Sequence, residues 1–124
     1  QGKRGLIMGV ANDKSIAWGI AQAVHANGAE MAFTYQDEAF GKRLRPLAEG
    51  IGAKHVMQCD ASSEADLDRV FADLEKVWGK LDFVVHSIAY SDKNELKGDY
   101  CDTTLQNFLT SMHVSCYTFT SVAR

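Results

Sequence analysis

The stretch Gly9-Val10-Ala11-Asn12-Asp13-Lys14-Ser15-Ile16-Ala17-Trp18-Gly19 carries the first candidate chemistry. It stands between a short apolar run, Gly5 to Met8, and a segment with Ile16, Ile20 and Val24 at helical spacing. Where a strand turns directly into a helix, the first helical N–H groups are unbonded, and with the helix dipole they attract an anion such as a pyrophosphate. The usual dinucleotide loop uses three glycines. Here Gly9 can supply the tight turn, Ser15 stands where backbone meets phosphate, and Ala17 is small enough for close helix–strand packing. The same residues would also make a plain strand-to-helix turn with a serine N-cap, so further positions must decide.

Gln36 and Asp60 are those positions. Each follows an apolar run and so falls at the carboxyl end of a strand, the edge where open α/β sheets bind ligands. An acidic residue usually bonds the adenosine ribose at the first of them, and the amide of Gln36 can serve a 2′-hydroxyl instead. No lysine or arginine follows Gln36 sooner than Lys42, which leaves a 2′-phosphate without an obvious partner. Asp60 can accept from an adenine amino group or simply hold a turn. Tyr35 with Lys42 and Tyr90 with Lys97 share a Tyr-x6-Lys spacing. Neither pair is expected to act, because Tyr35 ends a strand and Tyr90 opens a polar loop, whereas such residues share a face only on a helix. His25, His55, His86 and His113 lack ligand spacing with one another and with Cys59, Cys101 and Cys116, so no metal site is predicted. His86 reads as a strand-end structural residue.

The elements that must hold these residues follow from periodicity, which alternates between short apolar runs and helical stripes without repeat, linker or low-complexity segment. Strands are predicted over Gly5 to Met8, Met31 to Tyr35, His55 to Cys59 and Phe83 to Val85. The first helix begins at Ser15, packs Ile16, Ile20 and Val24 with Ala17 and Ala21 beside them, and stops at Gly28. The second, Phe40 to Gly50, is the weakest, because an interior proline such as Pro46 costs about 3 kcal/mol. Ser62 or Ser63 caps the third, whose stripe is Leu67, Val70, Phe71, Leu74, Val77 and Trp78, and Gly79 ends it. A polar loop, Ser91 to Asp102, leads to Thr103 and Gln106 at capping-box spacing and a helix with Leu105, Phe108, Leu109, Met112, Cys116, Phe119 and Ala123. Strands alternating with helices imply right-handed crossovers and a parallel sheet covered on both faces: a doubly wound α/β fold in three layers, α/β/α.

Composition agrees. The chain has 124 residues, 46% hydrophobic and 23% charged, which suits one folded domain over residues 1–124 and excludes a disordered chain. A net charge of −3 without a basic run gives nucleic acid and anionic membranes no footprint, so neither is expected as a partner. No apolar stretch approaches the roughly 20 residues that span a bilayer. Three cysteines without CxxC pairing are expected to be core or half-buried thiols in a reducing, cytoplasmic compartment. The last stripe still runs at Arg124, which suggests part of a longer protein.

Taken together, Gly9-Val10-Ala11, Ser15-Ile16-Ala17-Trp18-Gly19-Ile20-Ala21, Phe33-Thr34-Tyr35-Gln36, Cys59-Asp60 and His86-Ser87-Ile88-Ala89-Tyr90 closely resemble the bacterial enoyl-acyl-carrier-protein reductases. That family is a divergent branch of the short-chain dehydrogenase/reductases, whose ordinary members carry Thr-Gly-x3-Gly-x-Gly and Asn-Asn-Ala-Gly instead. The resemblance implies the N-terminal half, four strands and their helices, of a Rossmann-type domain. It implies a homotetrameric enzyme of fatty-acid synthesis that uses NADH to reduce the trans-2 double bond of an enoyl thioester on acyl carrier protein. It places Gly9, Ser15 and Ile16 at the pyrophosphate, Gln36 at the adenosine ribose, Asp60 and Ala61 at the adenine, Ser87, Ile88 and Ala89 at the nicotinamide half, and Ser91 in the acyl pocket. Tyr90 takes a position where an aromatic residue, often phenylalanine, occurs. The family's catalytic tyrosine and lysine, spaced Tyr-x6-Lys, come later than residue 124, so no catalytic residue is expected within this chain.

Two other readings compete. A ketoacyl reductase or other dehydrogenase of the superfamily needs Tyr-x3-Lys, and no tyrosine here has a lysine four residues later. A non-catalytic nucleotide-binding module such as a receiver domain needs an acidic cluster after its first strand, where this chain has Gly9-Val10-Ala11. Fold alone does not separate these readings, but the matched loop favours the reductase.

Overall fold

Each strand is followed by a helix that carries the chain back, so the strands pair in parallel. The computed structural model describes residues 1–124. Its strands are β1 (Arg4–Met8), β2 (Glu30–Tyr35), β3 (His55–Gln58) and β4 (Phe83–His86). Between them run α1 (Ile16–Ala26), α2 (Glu38–Gly50) and α3 (Glu64–Trp78). The sheet order is β3-β2-β1-β4, all parallel, as the alternation predicts for this Rossmann-type fold. The chain winds outward from β1 to β3 and then crosses over β1 to lay down β4. Right-handed connections put α1 and α2 on one face and α3 on the other.

Burial fits that arrangement. Ile7, Met31 and Phe33 pack with Ala17, Trp18 and Ala21 of α1 and with Leu44 and Ala48 of α2. Alternate residues Leu6, Met8 and Ala32 are equally buried on the other face, and Leu67, Val70, Leu74 and Trp78 are the buried positions of α3. The expected face of α1 is corrected here. Ile16 is 80% exposed and Ile20 lies at the surface, while Trp18 packs on Phe33 with ring centroids 6.2 Å apart. Small Ala17 and Ala21 let the helix approach the sheet, so the larger isoleucines are turned outward. Val77 of α3 is likewise exposed, beyond the edge of the buried stripe.

Local signals explain the helix limits. At the end of α1, Gly28 has φ +79°, its N–H donates to the His25 carbonyl and Ala29 N–H to the Val24 carbonyl, a Schellman motif. Helix α2 runs unbroken through Pro46. Its buried Gly41, Leu44 and Ala48 hold it to the sheet, and the Lys42 carbonyl that Pro46 leaves without a helical donor is on an exposed residue. It also begins earlier than periodicity suggests, at Glu38, because the Asp37 side chain accepts from Phe40 N–H. Ser63, rather than Ser62, caps α3 through Asp66 N–H.

The chain forms two compact units, Gln1–Ser87 and Ile88–Arg124. Within the second, 3₁₀ turns at Lys93–Glu95 and Tyr100–Asp102 precede α4 (Leu105–Met112), a π-helical turn (His113–Tyr117) and α5 (Thr118–Ala123). The expected capping box at Thr103 and Gln106 does not form. Thr104 is the cap, accepting from Asn107 N–H at 3.1 Å, and Gln106 instead donates to Thr110 Oγ1 at 3.2 Å. The Glu95 carboxylate holds Thr104 in place through its N–H at 2.7 Å and its hydroxyl at 3.0 Å. Leu105, Phe108, Met112 and Phe119 are exposed. Of the three thiols only Cys59 is buried; Cys101 and Cys116 are exposed, contrary to expectation.

One backbone contact joins the centre of the sheet to the loop after it. Gly9 has φ +113°, and a Cβ there would lie 1.9 Å from the Ser87 carbonyl oxygen. Gly9→Ala should therefore destabilise the fold by more than about 2 kcal/mol, since strained backbone and overlap act together. Gly19, within α1, has open space around it, and Gly19→Ala should stabilise by up to about 1 kcal/mol. Urea unfolding of the two variants reads the difference, and equal midpoints would show that β1 and β4 can part without cost.

Candidate nucleotide-binding site

β1 and β4 are neighbours at the point where the strand order reverses, the topological switch point at which open α/β sheets take ligands. Met8 and His86 are in register, and Ser87 N–H donates to the Met8 carbonyl at 2.9 Å. Burial lowers the pKa of His86, which favours its neutral form, and it ends β4 as expected.

Ser15 is the N-cap residue of α1, but its side chain does not cap the helix. Its hydroxyl faces back into the loop and accepts from Ala11 N–H at 2.9 Å and Asn12 N–H at 3.1 Å. Asn12 Oδ1 accepts from Lys14 N–H at 2.8 Å, which rounds off the turn. The Ser15 carbonyl takes the N–H groups of Trp18 and Gly19. The amides of Ile16 and Ala17 are left without a partner in the chain. No acidic residue stands in the first turn of α1, whereas α2 has Glu38 and α3 has Glu64 and Asp66 in theirs. The α1 terminus thus keeps its positive end open, beside a glycine whose missing Cβ leaves room for another backbone. These donors fit a pyrophosphate.

Gln36 is exposed immediately after β2, with its side-chain amide free. Its carbonyl accepts from Gln58 Nε2 at 2.9 Å. Asp60 lies beyond β3, and its Oδ1 accepts from Ser62 N–H at 2.9 Å and Ser62 Oγ at 2.6 Å. The turn role weighed for Asp60 is therefore present, and Oδ2 stays open to a donor. Ala61 beside it is buried. Cys59 N–H ties β3 to the Tyr35 carbonyl, and burial pushes the Cys59 thiol up to about 11, so it is an inert core group. Gly9, Ser15, Ile16, Gln36, Asp60, Ala61 and Ser87 all lie at or just beyond the carboxyl edge of the first unit's sheet. Ile88, Ala89 and Ser91 belong to the second unit, where Ser91 Oγ accepts from Asn107 Nδ2 at 3.3 Å.

One group was missed from sequence. Lys42 is the nearest cation along the chain, but the Arg45 guanidinium reaches back to Tyr35, donating to its hydroxyl at 2.9 Å and covering its ring at 5.1 Å. Glu38 grips the same guanidinium with both oxygens, at 2.5 and 3.0 Å. The hydrogen bonds with Glu38 and then Tyr35 raise the Arg45 pKa, and Arg45 in turn lowers that of Glu38. The spacing from Glu38 to Arg45, two turns of one helix, was the available signal. The Tyr35 hydroxyl is thereby committed, and the pairing with Lys42 has no support.

The family model described as enoyl-(acyl carrier protein) reductase matches residues 9–124. Enoyl-[acyl-carrier-protein] reductase [NADH] 2 of Rhizobium meliloti (strain 1021) is 56% identical over 99% of this chain and 46% of its own length. The crystal structure of the enoyl-(acyl-carrier-protein) reductase of Anaplasma phagocytophilum in complex with NAD superposes with TM-score 0.94 at 61% identity, covering 99% of this chain and 47% of that one. The Bacillus cereus enoyl-acyl carrier protein reductase with NADP+ and indole naphthyridinone superposes with TM-score 0.95 at 37% identity, covering 100% and 49%. The chain spans about half the length of the curated relatives it matches. A match over residues 9–124, with this loop and this sheet order, establishes that the chain belongs to the enoyl-(acyl carrier protein) reductase family.

Proposed function

We propose that these residues form the cofactor-binding half of an NADH-dependent enoyl-[acyl-carrier-protein] reductase of fatty-acid biosynthesis, a cytoplasmic homotetramer acting on the trans-2 double bond of an acyl thioester. The observation that carries the reading is the open N-terminus of α1 set against the Gly9–Ser87 approach at the switch point. Gly9, Ser15 and Ile16 would hold the pyrophosphate, Gln36 the adenosine ribose, and Asp60 with Ala61 the adenine. Ser87, Ile88 and Ala89 would meet the nicotinamide half, and Ser91 the acyl chain. The bound dinucleotide would supply the hydride. This chain's residues would bind and orient it, while the tyrosine and lysine implied by the family's Tyr-x6-Lys would lie outside them. No helix is long and apolar enough to cross a membrane.

The choice of NADH over NADPH rests on the end of β2. One relative was solved with NAD and another with NADP+, so the fold itself does not choose. Here Gln36 is followed by Asp37 and Glu38, and the cation that reaches this edge, Arg45, is already held by Glu38. A 2′-phosphate would meet carboxylates and no free guanidinium.

Three measurements follow, the first two on an enzyme of the relatives' length carrying this sequence. Crotonyl-thioester reduction should show clearly higher kcat/KM with NADH than with NADPH, and Glu38→Gln should narrow the gap about two- to fivefold by releasing Arg45. Equal use of the two cofactors by the parent would defeat the assignment of Gln36. Asp60→Ala should raise KM for NADH by roughly tenfold and at most a hundredfold with kcat unchanged, the range of a lost hydrogen bond to a charged group at the remote adenine end. An unchanged KM would return Asp60 to its turn. Residues 1–124 expressed alone should not oxidise NADH with an enoyl thioester; turnover near that of the complete enzyme would move attention to Tyr35 with Lys42 and Tyr90 with Lys97.

A further inference from the structure

The two proposed adenosine contacts sit on different loops, and one chain of hydrogen bonds runs between them. The Gln36 carbonyl accepts from Gln58 Nε2 at 2.9 Å. Arg69 of α3 donates through Nη2 to Gln58 twice, to its carbonyl at 2.5 Å and to Oε1 at 3.1 Å. Arg69 Nη1 reaches Asp66 Oδ1 at 3.1 Å, one turn earlier on the same helix. Asp66 Oδ2 closes the path by accepting from Asp60 N–H at 2.9 Å.

From Gln36 to Asp60 every link is a direct hydrogen bond, and the guanidinium is its centre. Only a planar fork can bond the end of β3 with one nitrogen and a carboxylate with the other; a lysine ammonium has no such fixed geometry. The Asp60 N–H and the nearby Arg69 charge hold the Asp66 carboxyl below its usual range, so it is a permanent acceptor at neutral pH. The Arg69 side chain is half exposed and that of Asp66 one-fifth exposed. Such a surface pair adds little to stability. Its geometric effect is larger, because it fixes the backbone on both sides of the proposed adenosine seat.

Resting on the assignment of Gln36 and Asp60 to the adenosine, we propose that Arg69, with Gln58 and Asp66, is a positioning device that sets the loops after β2 and β3 at the spacing an adenosine requires. Arg69 itself touches no ligand in this arrangement. It acts through Gln58 on one side and through Asp66 on the other.

The test uses the enzyme of the relatives' length, with NADH and AMP as probes. Arg69→Ala should weaken both probes about three- to tenfold, within the range that members of one hydrogen-bond network exert on each other. The KM for NADH should rise alike, with kcat at saturating NADH and the urea midpoint unchanged. Gln58→Met should act in the same direction, and Arg69→Lys should recover only part of the loss. Gln36→Ala and Asp60→Ala should be non-additive in the parent and additive in the Arg69→Ala background. If Gln36→Ala and Asp60→Ala weaken NADH binding but Arg69→Ala and Gln58→Met do not, the positioning role alone is overturned. If Gln36→Ala and Asp60→Ala leave binding untouched, the adenosine assignment falls and the positioning role with it. A fall in the urea midpoint of Arg69→Ala in step with its loss of binding, with Gln58→Met binding normally, would reduce Arg69 to a structural residue and also overturn the proposal.

Discussion

The contact between Gly9 and the Ser87 carbonyl is the constraint on which the rest of the first unit depends. A side-chain carbon cannot stand where only 1.9 Å separates it from that oxygen, and φ +113° at Gly9 bars most other residues independently. The approach is set by the β1–β4 pairing, which ends at Met8 and His86 and is extended by the Ser87 N–H to Met8 carbonyl bond. Because β4 is added on the far side of β1 from β2, that pairing also creates the switch point. Sheet order, the turn into α1 and the candidate phosphate seat are thus one arrangement rather than three.

Electrostatics separates α1 from its neighbours. At α2 the Asp37 side chain accepts from Phe40 N–H and Glu38 adds charge, and at α3 Ser63 accepts from Asp66 N–H while Glu64 and Asp66 add charge. Those termini carry their own negative charge. At α1 the serine turns its oxygen away from the helix, and no carboxylate compensates the dipole. An anion there gains what the other two helices already have from their own side chains.

Elements were legible where a single local cause fixes them. Gly28 ends α1 because its φ is positive, and Gly79 ends α3 for the same reason, both readable as glycines behind an apolar stripe. Causes acting across elements were harder to read. Pro46 argued against α2, yet packing of Leu44 and Ala48 outweighs one missing helical bond on an exposed turn. Thr103 was the cap expected from its spacing to Gln106, and Glu95, nine residues before Thr104, makes Thr104 the cap instead. The face of α1 was displaced because hydrophobicity ranks isoleucine above alanine, whereas close packing ranks size first. Of the site, Gly9, Gln36 and Asp60 could be placed from strand ends alone. Arg45 and Arg69 could not, since the Glu38–Arg45 spacing shows only a shared helix face, and the reach of each guanidinium to another element leaves no mark in the sequence.

The replacement of glycine by Ser15 follows from the same geometry. A glycine at that point in a dinucleotide loop lets backbone and phosphate come close. Ser15 has φ −64° and ψ 142°, a conformation any residue adopts, so glycine's freedom is not needed. What this loop needs is an acceptor to hold it, since the amides of Ala11, Asn12 and Lys14 would otherwise be unbonded with no fixed direction. The Ser15 hydroxyl takes those of Ala11 and Asn12, Asn12 takes that of Lys14, and two donors, Ile16 and Ala17, remain aligned on the helix axis. The exchange substitutes a side-chain hydrogen bond for backbone freedom. It narrows the anion seat to the helix terminus, and Ala17, fully buried against the sheet, fixes how near that terminus stands to β1.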